Sequence, residues 1–430
     1  MPATSQSRSR LDAPIYLLTA IAFTVGLVEL VIGGTLDLIA DDLGVTEGRA
    51  GLLITAFALV FAISGPVLLY LVGRFDRRRV TLAALAVFIA GNVVAVLGDT
   101  YAWLMVSRVI TAASGGLLTV LGLTLAARLS SPAQRGRAIG LVVMGISGSI
   151  VLGLPIGVSM GHAFGWRSPF VLVIGLALVL MVVVALRLGA VATQRPAPLA
   201  EQVAALRNGR VLSAHLTTFF FLAGHYTLYG YLTPFVIETM GFGGGLITTV
   251  YFVFGAAAVL GGGVAGALTD KVGPRPTLLV ATALFAGCLL LIPHATDLPA
   301  VFWVVLAVWG ALSWAITPPI QSHLVRLAPH AADTQQSVSN SLLHLGIALG
   351  SLIGSAVIDR FDVTHNARVG ALFVVIAFLT AVLAFRGGAG RRPGRPGGAE
   401  TAGAERAGGN AGAAEEGGTD EAEAETARTQ

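Results

Sequence analysis

Charged residues are scarce in this sequence: Asp, Glu, Lys and Arg make up only 12% of its 430 residues, about half of their share in soluble globular domains. Hydrophobic residues make up 55%, and the mean hydropathy is +0.81. A soluble fold of this length has no interior large enough to bury so much apolar surface. The composition therefore excludes a soluble globular protein and predicts one whose surface faces lipid.

Cysteine and lysine are nearly absent. The single cysteine, Cys288, lies in an apolar run, so it forms no internal disulfide, and we interpret it as a packing residue. Lys271 is the only lysine. Although the pI is 9.6, the arginines stand in short groups between apolar stretches, which is typical of membrane-protein orientation signals. A nucleic-acid partner is therefore not expected.

Twelve apolar stretches are long enough to cross a bilayer, which takes about 20 helical residues. Because hydrocarbon offers the backbone no hydrogen-bond partner, each stretch must be a helix, and the sequence predicts an all-α membrane protein. The predicted spans are residues 14–37, 49–72, 80–98, 101–127, 138–162, 166–187, 211–237, 246–269, 277–293, 299–325, 336–358 and 367–385.

The basic residues orient these spans. The predicted outer loops hold four of them, Arg49, Arg167, Arg360 and Arg368, whereas the predicted cytoplasmic segments hold 20. Cytoplasmic loops of membrane proteins carry an excess of Lys and Arg. We therefore expect a multi-pass protein of the inner (plasma) membrane with both termini in the cytoplasm.

The two halves of the chain are related by one offset of 197 residues. It aligns Gly65 with Gly262, Arg74 with Lys271, and Arg78 with Arg275. The predicted parts are a cytoplasmic segment 1–13, a six-helix bundle 14–187, a linker 188–210, a second six-helix bundle 211–385, and a disordered tail 386–430. Two similar bundles can rock about a site at their interface, as in secondary transporters.

A short motif follows the eighth predicted span. It consists of Gly266, Asp270, Lys271, Gly273 and Arg275, and it resembles the cytoplasmic signature of the major facilitator superfamily. The corresponding first-half loop carries Arg74 and Arg78 but has Gly73 at the position of the aspartate. Such a loop can act as a gate whose charge-assisted hydrogen bonds break and re-form. The alternative is that these charges only set orientation.

The fifth predicted span is rich in glycine, with Gly148, Gly153, Pro155 and Gly157, and Gly165-Trp166-Arg167 follows it. Small residues four apart let helices approach closely, and the proline bends the helix. The span resembles the glycine–proline motif of antiporters, although the family places glycine directly before proline. Together these motifs resemble the arabinose-efflux and chloramphenicol-exporter branch of twelve-helix drug:proton antiporters.

This resemblance covers about residues 14–385. It implies the twelve-helix major facilitator fold, alternating access, and proton-coupled export of small organic molecules such as drugs, antibiotics or sugars. It implies no enzyme activity, no cofactor and no metal, with a monomer as the family default. An importer or passive facilitator is the first alternative, and a non-transporting receptor is a remote one. The sequence contains neither a phosphate-binding Gly-x-x-x-x-Gly-Lys-Ser/Thr segment nor a His-Glu-x-x-His pair.

Glu29 and Arg108 are the charges deepest in the predicted spans, each about 10–12 Å from the outer face at 1.5 Å per residue. Buried intramembrane charges tend to pair or to line a cavity. We hypothesise that Glu29 carries the proton and that Arg108 tunes its pKa, the alternatives being a static pair or no pair. His225 and His344 are further candidate proton carriers, or hydrogen-bonding links between helices.

Polar and aromatic residues within the spans are the candidates for a substrate cavity, because such side chains bind planar organic molecules. Simple packing or helix-to-helix hydrogen bonding is the alternative. The candidates are Asn92, Tyr226, Tyr229, Trp314, Gln321 and Asn340.

Overall fold

The computed structural model describes residues 13–131, 134–189, 206–327 and 332–386. Most of the predicted segments 1–13, 188–210 and 386–430 lie outside these residues. The described helices are α1 Ala13–Gly34, α2 Leu36–Leu43, α3 Glu47–Leu71, α4 Arg77–Leu97, α5 Tyr101–Leu129, α6 Arg135–Gly148, α7 Leu154–Phe164, α8 Ser168–Arg187, α9 Gly209–Tyr229, α10 Leu232–Met240, α11 Gly245–Val272, α12 Pro274–Ala295, α13 Pro299–Ala315, α14 Thr317–Leu327, α15 Ala332–Ile358 and α16 His365–Ala384.

The prediction of an all-helical membrane protein is confirmed. Eleven helical stretches in the described part of the chain are long and apolar enough to cross a membrane. The predicted span 211–237 is not among them, because it is divided into α9 and α10. The chain turns at Gly230, whose N–H donates to the Tyr226 carbonyl, and the helix restarts after Tyr231.

We call residues 13–187 the N half and residues 209–384 the C half. Each half has an apolar core of its own. The halves meet along two seams, one between α3 and α15 and the other between α7 and α11. A third core is shared, since Tyr231, Ile347 and Ala348 of the C half pack with residues of α1, α2 and α3. We use "outer" and "inner" for the two ends of the bundle according to the orientation that the arginines predict.

The helix that contains the fifth predicted span is interrupted by a π-helical turn, Ser149–Gly153, between α6 and α7. Within it the Leu154 N–H donates to the Ser149 carbonyl, five residues back. Pro155 has no N–H to continue the usual pattern, and a widened turn is one way in which a helix absorbs this loss. The turn lies at the centre of the fold, in contact with α1 and with α11.

Candidate functional site

Two titratable side chains meet where the halves face each other. Oε1 of Glu29, on α1, lies 3.2 Å from Nε2 of His344, on α15. The two side chains are largely buried, with 20% and 7% exposed. The His344 ring stacks on Phe61 of α3, with 4.2 Å between centroids. The contact between Glu29 and His344 is therefore one of the contacts that join the N half to the C half.

The proton count of this pair follows from its neighbours. Nδ1 of His344 lies 2.9 Å from the Asn340 carbonyl oxygen, which only accepts hydrogen bonds. Nδ1 therefore carries a hydrogen. A hydrogen bond between Nε2 and the Glu29 carboxyl then needs one more proton, held either by the imidazole or by the carboxyl group. The geometry fits a pair that shares one exchangeable proton.

Arg108 is fully buried beside this pair and binds backbone rather than the carboxylate. Its Nη1 donates to the Val28 carbonyl at 2.8 Å, Nη2 to the Glu29 carbonyl at 3.4 Å, and Nε to the Leu53 carbonyl at 3.5 Å. The guanidinium also lies over the Phe57 ring, 4.1 Å from its centroid. Arg108 thus fixes α1 and α3 to α5 at the level of Glu29.

A cavity of about 10 Å³ adjoins Glu29, enough for about one water molecule. Two of the predicted substrate residues, Tyr226 and Tyr229, line it together with Glu29. The other lining residues are Leu30, Gly33, Ile54, Gly230 and Tyr251. The structure thus brings the predicted acid and the predicted aromatic residues of the seventh span to one place.

Hydroxyl groups of the C half bind glycine carbonyls of the N half on the outer side of this pair. The Gly33 carbonyl accepts from Thr233 at 2.9 Å and from Tyr251 at 3.0 Å. The Gly51 carbonyl accepts from Ser351 at 3.0 Å. Gly33 lies at the outer end of α1 and Gly51 near the outer start of α3. These contacts close the outer end of the interface.

At the inner end of the two halves, several glycines have open space around them. An added Cβ at Gly136 or Gly140 on α6, or at Gly263 or Gly266 on α11, would meet no heavy atom within 4 Å in the described part of the chain. Ser341 of α15 donates to the Ala62 carbonyl at 2.8 Å on the inner side of the pair. The contacts at Gly33 and Gly51 thus close the interface on the outer side of Glu29.

The match to known proteins follows from this fold and interface. The sequence fits the pattern of the Major Facilitator Superfamily over residues 18–351. The chain belongs to this superfamily. Its members are transporters, so this major facilitator is a secondary transporter and not an enzyme.

Two relatives from Bacillus subtilis (strain 168) extend the match. The chain is 36% identical over 371 residues to the uncharacterized MFS-type transporter YbcL, covering 86% of this chain and 95% of that protein. It is 29% identical over 386 residues to the uncharacterized MFS-type transporter YtbD, covering 87% and 96%.

Solved structures share the fold at 17% identity. A bacterial homologue of the human lysosomal transporter Spinster, in an inward-facing and occupied conformation, superposes with a TM-score of 0.72. A D-xylose–proton symporter does so with a TM-score of 0.69. Each match covers 87% of this chain and 97% of the other.

The remaining histidine candidate of this major facilitator, His225, lies apart from the pair. It is buried in an aromatic cluster of the C half, 4.8 Å from Tyr229 and 5.6 Å from Trp309 between ring centroids. Its Nδ1 has no hydrogen-bond partner among the described residues. Tyr226 and Tyr229 contact this ring and also line the cavity beside Glu29, but no hydrogen bond joins His225 to Glu29 among the described residues.

The other predicted cavity residues are spread over the fold. Asn92 is buried in the N half and donates to the Phe88 carbonyl of its own helix at 2.7 Å. Asn340 contributes its carbonyl to His344. Trp314 and Gln321 are half-buried on α13 and α14, with Trp314 packed beside Gly262.

The residues of the predicted cytoplasmic gate lie at the inner ends of α11 and α12. Gly273 has φ +95, a conformation that favours glycine, and it ends α11. Asp270, Lys271 and Arg275 are exposed, and no ion pair joins them in the part of the chain that the structure describes. Gly266 is half-buried on α11.

Their first-half counterparts contact their own half. Arg78 donates from its guanidinium to the Ala185 carbonyl of α8. Arg74 lies over the Phe75 ring, 5.2 Å from its centroid. In this state of the protein, the described gate residues therefore do not bridge the two halves.

The predicted antiporter-type glycines pack against α1, the helix that carries Glu29. An added Cβ at Gly157 would lie 3.0 Å from Val31, and one at Gly153 would lie 3.3 Å from Phe23. Gly148 faces Phe23 at 3.5 Å. These positions, with Pro155 at the end of the π-helical turn, set the close approach of α1 to α6 and α7.

Sequence reasoning missed two polar sites. Asp42 accepts from the Trp166 indole at 2.9 Å and from Arg167 at 2.7 Å, and these hydrogen bonds lower the pKa of Asp42 below its usual range. His215 bonds Gln335 at 2.7 Å across α9 and α15. The Gly165-Trp166-Arg167 motif was the available signal for the first site; His215, a polar residue in an apolar span, was the signal for the second.

Proposed function

We propose that this transporter exports small organic molecules in exchange for protons, and that Glu29 and His344 share the driving proton. The observation that carries the proposal is the 3.2 Å contact between Glu29 and His344 across the two halves. The motif resemblance to drug:proton antiporters supports the direction of transport. The orientation, with both termini in the cytoplasm, and a monomeric state are part of the same proposal.

The pair couples proton loss to movement of the halves. While the pair holds its shared proton, the Nε2–Oε1 hydrogen bond ties α1 to α15. After the proton leaves toward the cytoplasm, the lone pair of Nε2 faces a carboxylate oxygen, and the two atoms repel each other. The contact then opens, and the outer hydroxyl–glycine contacts remain as the closure that a bound substrate must overcome.

Because the pair closes with its proton and opens without it, the transporter exchanges substrate for a proton and does not carry both in one direction. The return to the inward-open state requires the pair to re-form, and it re-forms only with a proton taken up from outside. The opposite movement requires the proton to have left. Substrate therefore moves outward in the protonless half of the cycle, and each turn brings a proton inward.

The residues around the pair have separate roles in this proposal. Arg108 holds the backbone of Glu29 in place and adds a positive charge near its carboxylate. Tyr226 and Tyr229 line the same cavity, which is too small for an organic compound in this state. Their rings contact a compound only after the halves move apart. Trp314 and Gln321 remain candidates for contacts nearer the inner side. The proposed substrates are small apolar or weakly charged compounds, with drugs, antibiotics and sugars as the classes to test.

The test is proton movement in inside-out vesicles that contain the wild-type protein, Glu29→Gln or the control His225→Phe. An antibiotic, sugar or nucleoside is added to vesicles with an established pH gradient. We expect at least one compound to collapse the gradient with the wild type and with His225→Phe, but not with Glu29→Gln. The Phe ring fits the aromatic cluster around His225, so this control removes a titratable group and keeps the packing.

The outcomes separate the alternatives. A compound that collapses the gradient equally with Glu29→Gln would overturn the assigned role of Glu29. Compound uptake without any proton movement in the wild type would favour a passive facilitator. Proton uptake into right-side-out vesicles on compound entry would favour a proton-coupled importer.

A further inference from the structure

A groove in the N half is not part of the interface between the halves. It lies between α3, α4 and α5 toward the inner side and has a volume of about 360 Å³. Apart from Arg79 and Ser114, its walls are apolar. The Ser114 hydroxyl already donates to the Ile110 carbonyl of its own helix at 2.8 Å. The groove therefore offers an occupant almost no polar surface.

The groove opens toward the bilayer. Its helix α4 packs mainly against α5 and α8, and the α4 residues Ala83 and Val87, which line the groove, are exposed. Phe75 and Val87, at the two ends of the groove, are 50% and 48% exposed. Water has no hydrogen-bond partner along such walls. In a membrane, hydrocarbon must therefore fill this space.

The depth of the groove fits within one leaflet. From Arg79 to Val87, the first and last α4 residues that line the groove, the helix rises eight residues, or about 12 Å. One leaflet contributes half of a hydrocarbon core that is about 30 Å thick. A single acyl chain of the inner leaflet is therefore long enough to fill the groove.

The mouth of the groove is positively charged. Arg79 lines it, and its guanidinium makes no ion pair or hydrogen bond in the described part of the chain. The loop and first turn also hold Arg74, Arg77 and Arg78, against one acid, Asp76. The Asp76 carboxylate caps α4 by accepting from the backbone N–H of Arg79. Positive charge at this level attracts anionic headgroups.

We propose that this groove binds one anionic phospholipid of the inner leaflet, with an acyl chain along α4 and the phosphate on Arg79. The C half supplies an internal comparison, because the residue that aligns with Arg79 under the 197-residue offset is Pro276. The site is therefore expected once per chain, in the N half.

The experiment is native mass spectrometry of the purified full chain, titrated with phosphatidylglycerol or with phosphatidylcholine. The variants are Arg79→Gln, which removes the cation, and Ala83→Phe, which fills the groove from an exposed wall position. The controls are Arg187→Gln and Leu178→Phe, exposed positions of α8 outside the groove. All five proteins are first compared by size-exclusion chromatography.

We expect one phosphatidylglycerol to bind more tightly than phosphatidylcholine. Arg79→Gln should weaken its binding about fivefold, the effect of one cation at the membrane surface, and Ala83→Phe should abolish it, while both controls bind as the wild type does. Equal binding by Arg79→Gln and wild type, or an equal loss in Arg187→Gln, would overturn the proposal. So would Ala83→Phe leaving lipid binding unchanged while raising the KM of a transported compound, since the groove would then admit substrate.

Discussion

Nε2 of His344 lies 3.2 Å from Oε1 of Glu29, although 315 positions separate these residues in the chain and they belong to different halves. Glu29 and His344 therefore move relative to each other during alternating access. An ion pair within one half could persist through the cycle. A pair between the halves must break whenever the interface opens, and its proton then becomes free to exchange.

Arg108→Lys should destabilise the protein although it keeps the charge. Lysine offers one ammonium in place of a planar fork, so it cannot bond the Val28, Glu29 and Leu53 carbonyls together or stack on Phe57. Loss of charge-assisted hydrogen bonds at a buried site costs about 2 kcal/mol or more. Thermal unfolding in detergent measures this effect, with Arg187→Lys, at the exposed end of α8, as the control. Equal midpoints for the two variants would contradict the anchoring role of Arg108.

Gly51→Ala should hold the outer end of the interface open. A Cβ at this position would lie 2.0 Å from the Tyr231 hydroxyl oxygen, so the halves must separate there. Labelling of Ser351→Cys by a membrane-impermeant thiol reagent, in a Cys288→Ser background, reports the opening. We expect faster labelling from the outer side with Gly51→Ala.

Gly175→Ala is the matched control for this variant, because a Cβ there meets no atom within 4 Å among the described residues. It should leave the labelling rate of Ser351→Cys unchanged. The same slow rate in both glycine variants would show that the outer closure does not depend on the small size of residue 51.

Asp42→Asn should lower stability in a pH-dependent way. The hydrogen bonds from Trp166 and Arg167 lower the pKa of Asp42 in the folded state. The ionised carboxylate therefore contributes its full stabilisation when the pH is above the pKa of Asp42 in the unfolded chain, about 3.9. This contribution is lost as the pH falls through the lower folded value. The site is partly exposed, and we expect at most about 1 kcal/mol. The gap in unfolding midpoint between wild type and Asp42→Asn should be present at pH 7 and shrink near pH 3; an unchanged gap would rule out this ionic contribution.

The spans could be predicted from the sequence because every segment that crosses lipid must be apolar and must satisfy its own backbone hydrogen bonds. The predicted 49–72 and 80–98 correspond to Glu47–Leu71 and Arg77–Leu97. The break at Gly230 in the predicted span 211–237 could not be predicted from the sequence, because the turn there depends on tertiary contacts. Tyr231 packs against Gly51 and donates to the Ser351 carbonyl, both distant in the chain.

The site was only partly predictable for a related reason. Glu29, Arg108, His225 and His344 stand out because charged and titratable groups are rare in apolar stretches. Their partners depend on how the halves face each other, which no local pattern encodes. Thus the Arg108 guanidinium donates to the backbone carbonyl of Glu29, while the Glu29 carboxylate contacts His344. The glycine carbonyls that bind Thr233, Tyr251 and Ser351 carry no sequence signal beyond the glycines themselves.

The most direct test of the shared proton is the distance between the outer ends of the two halves as a function of pH. Spin labels at Asp99 and Asp297, exposed residues of outer loops in different halves, report this distance by double electron–electron resonance in a Cys288→Ser background. With a transported compound present, wild type should have a short distance at low pH and a longer one as rising pH removes the proton. Glu29→Gln, whose amide always donates to His344, should stay short at every pH. A wild-type distance independent of pH, or an equal lengthening in Glu29→Gln, would contradict the account.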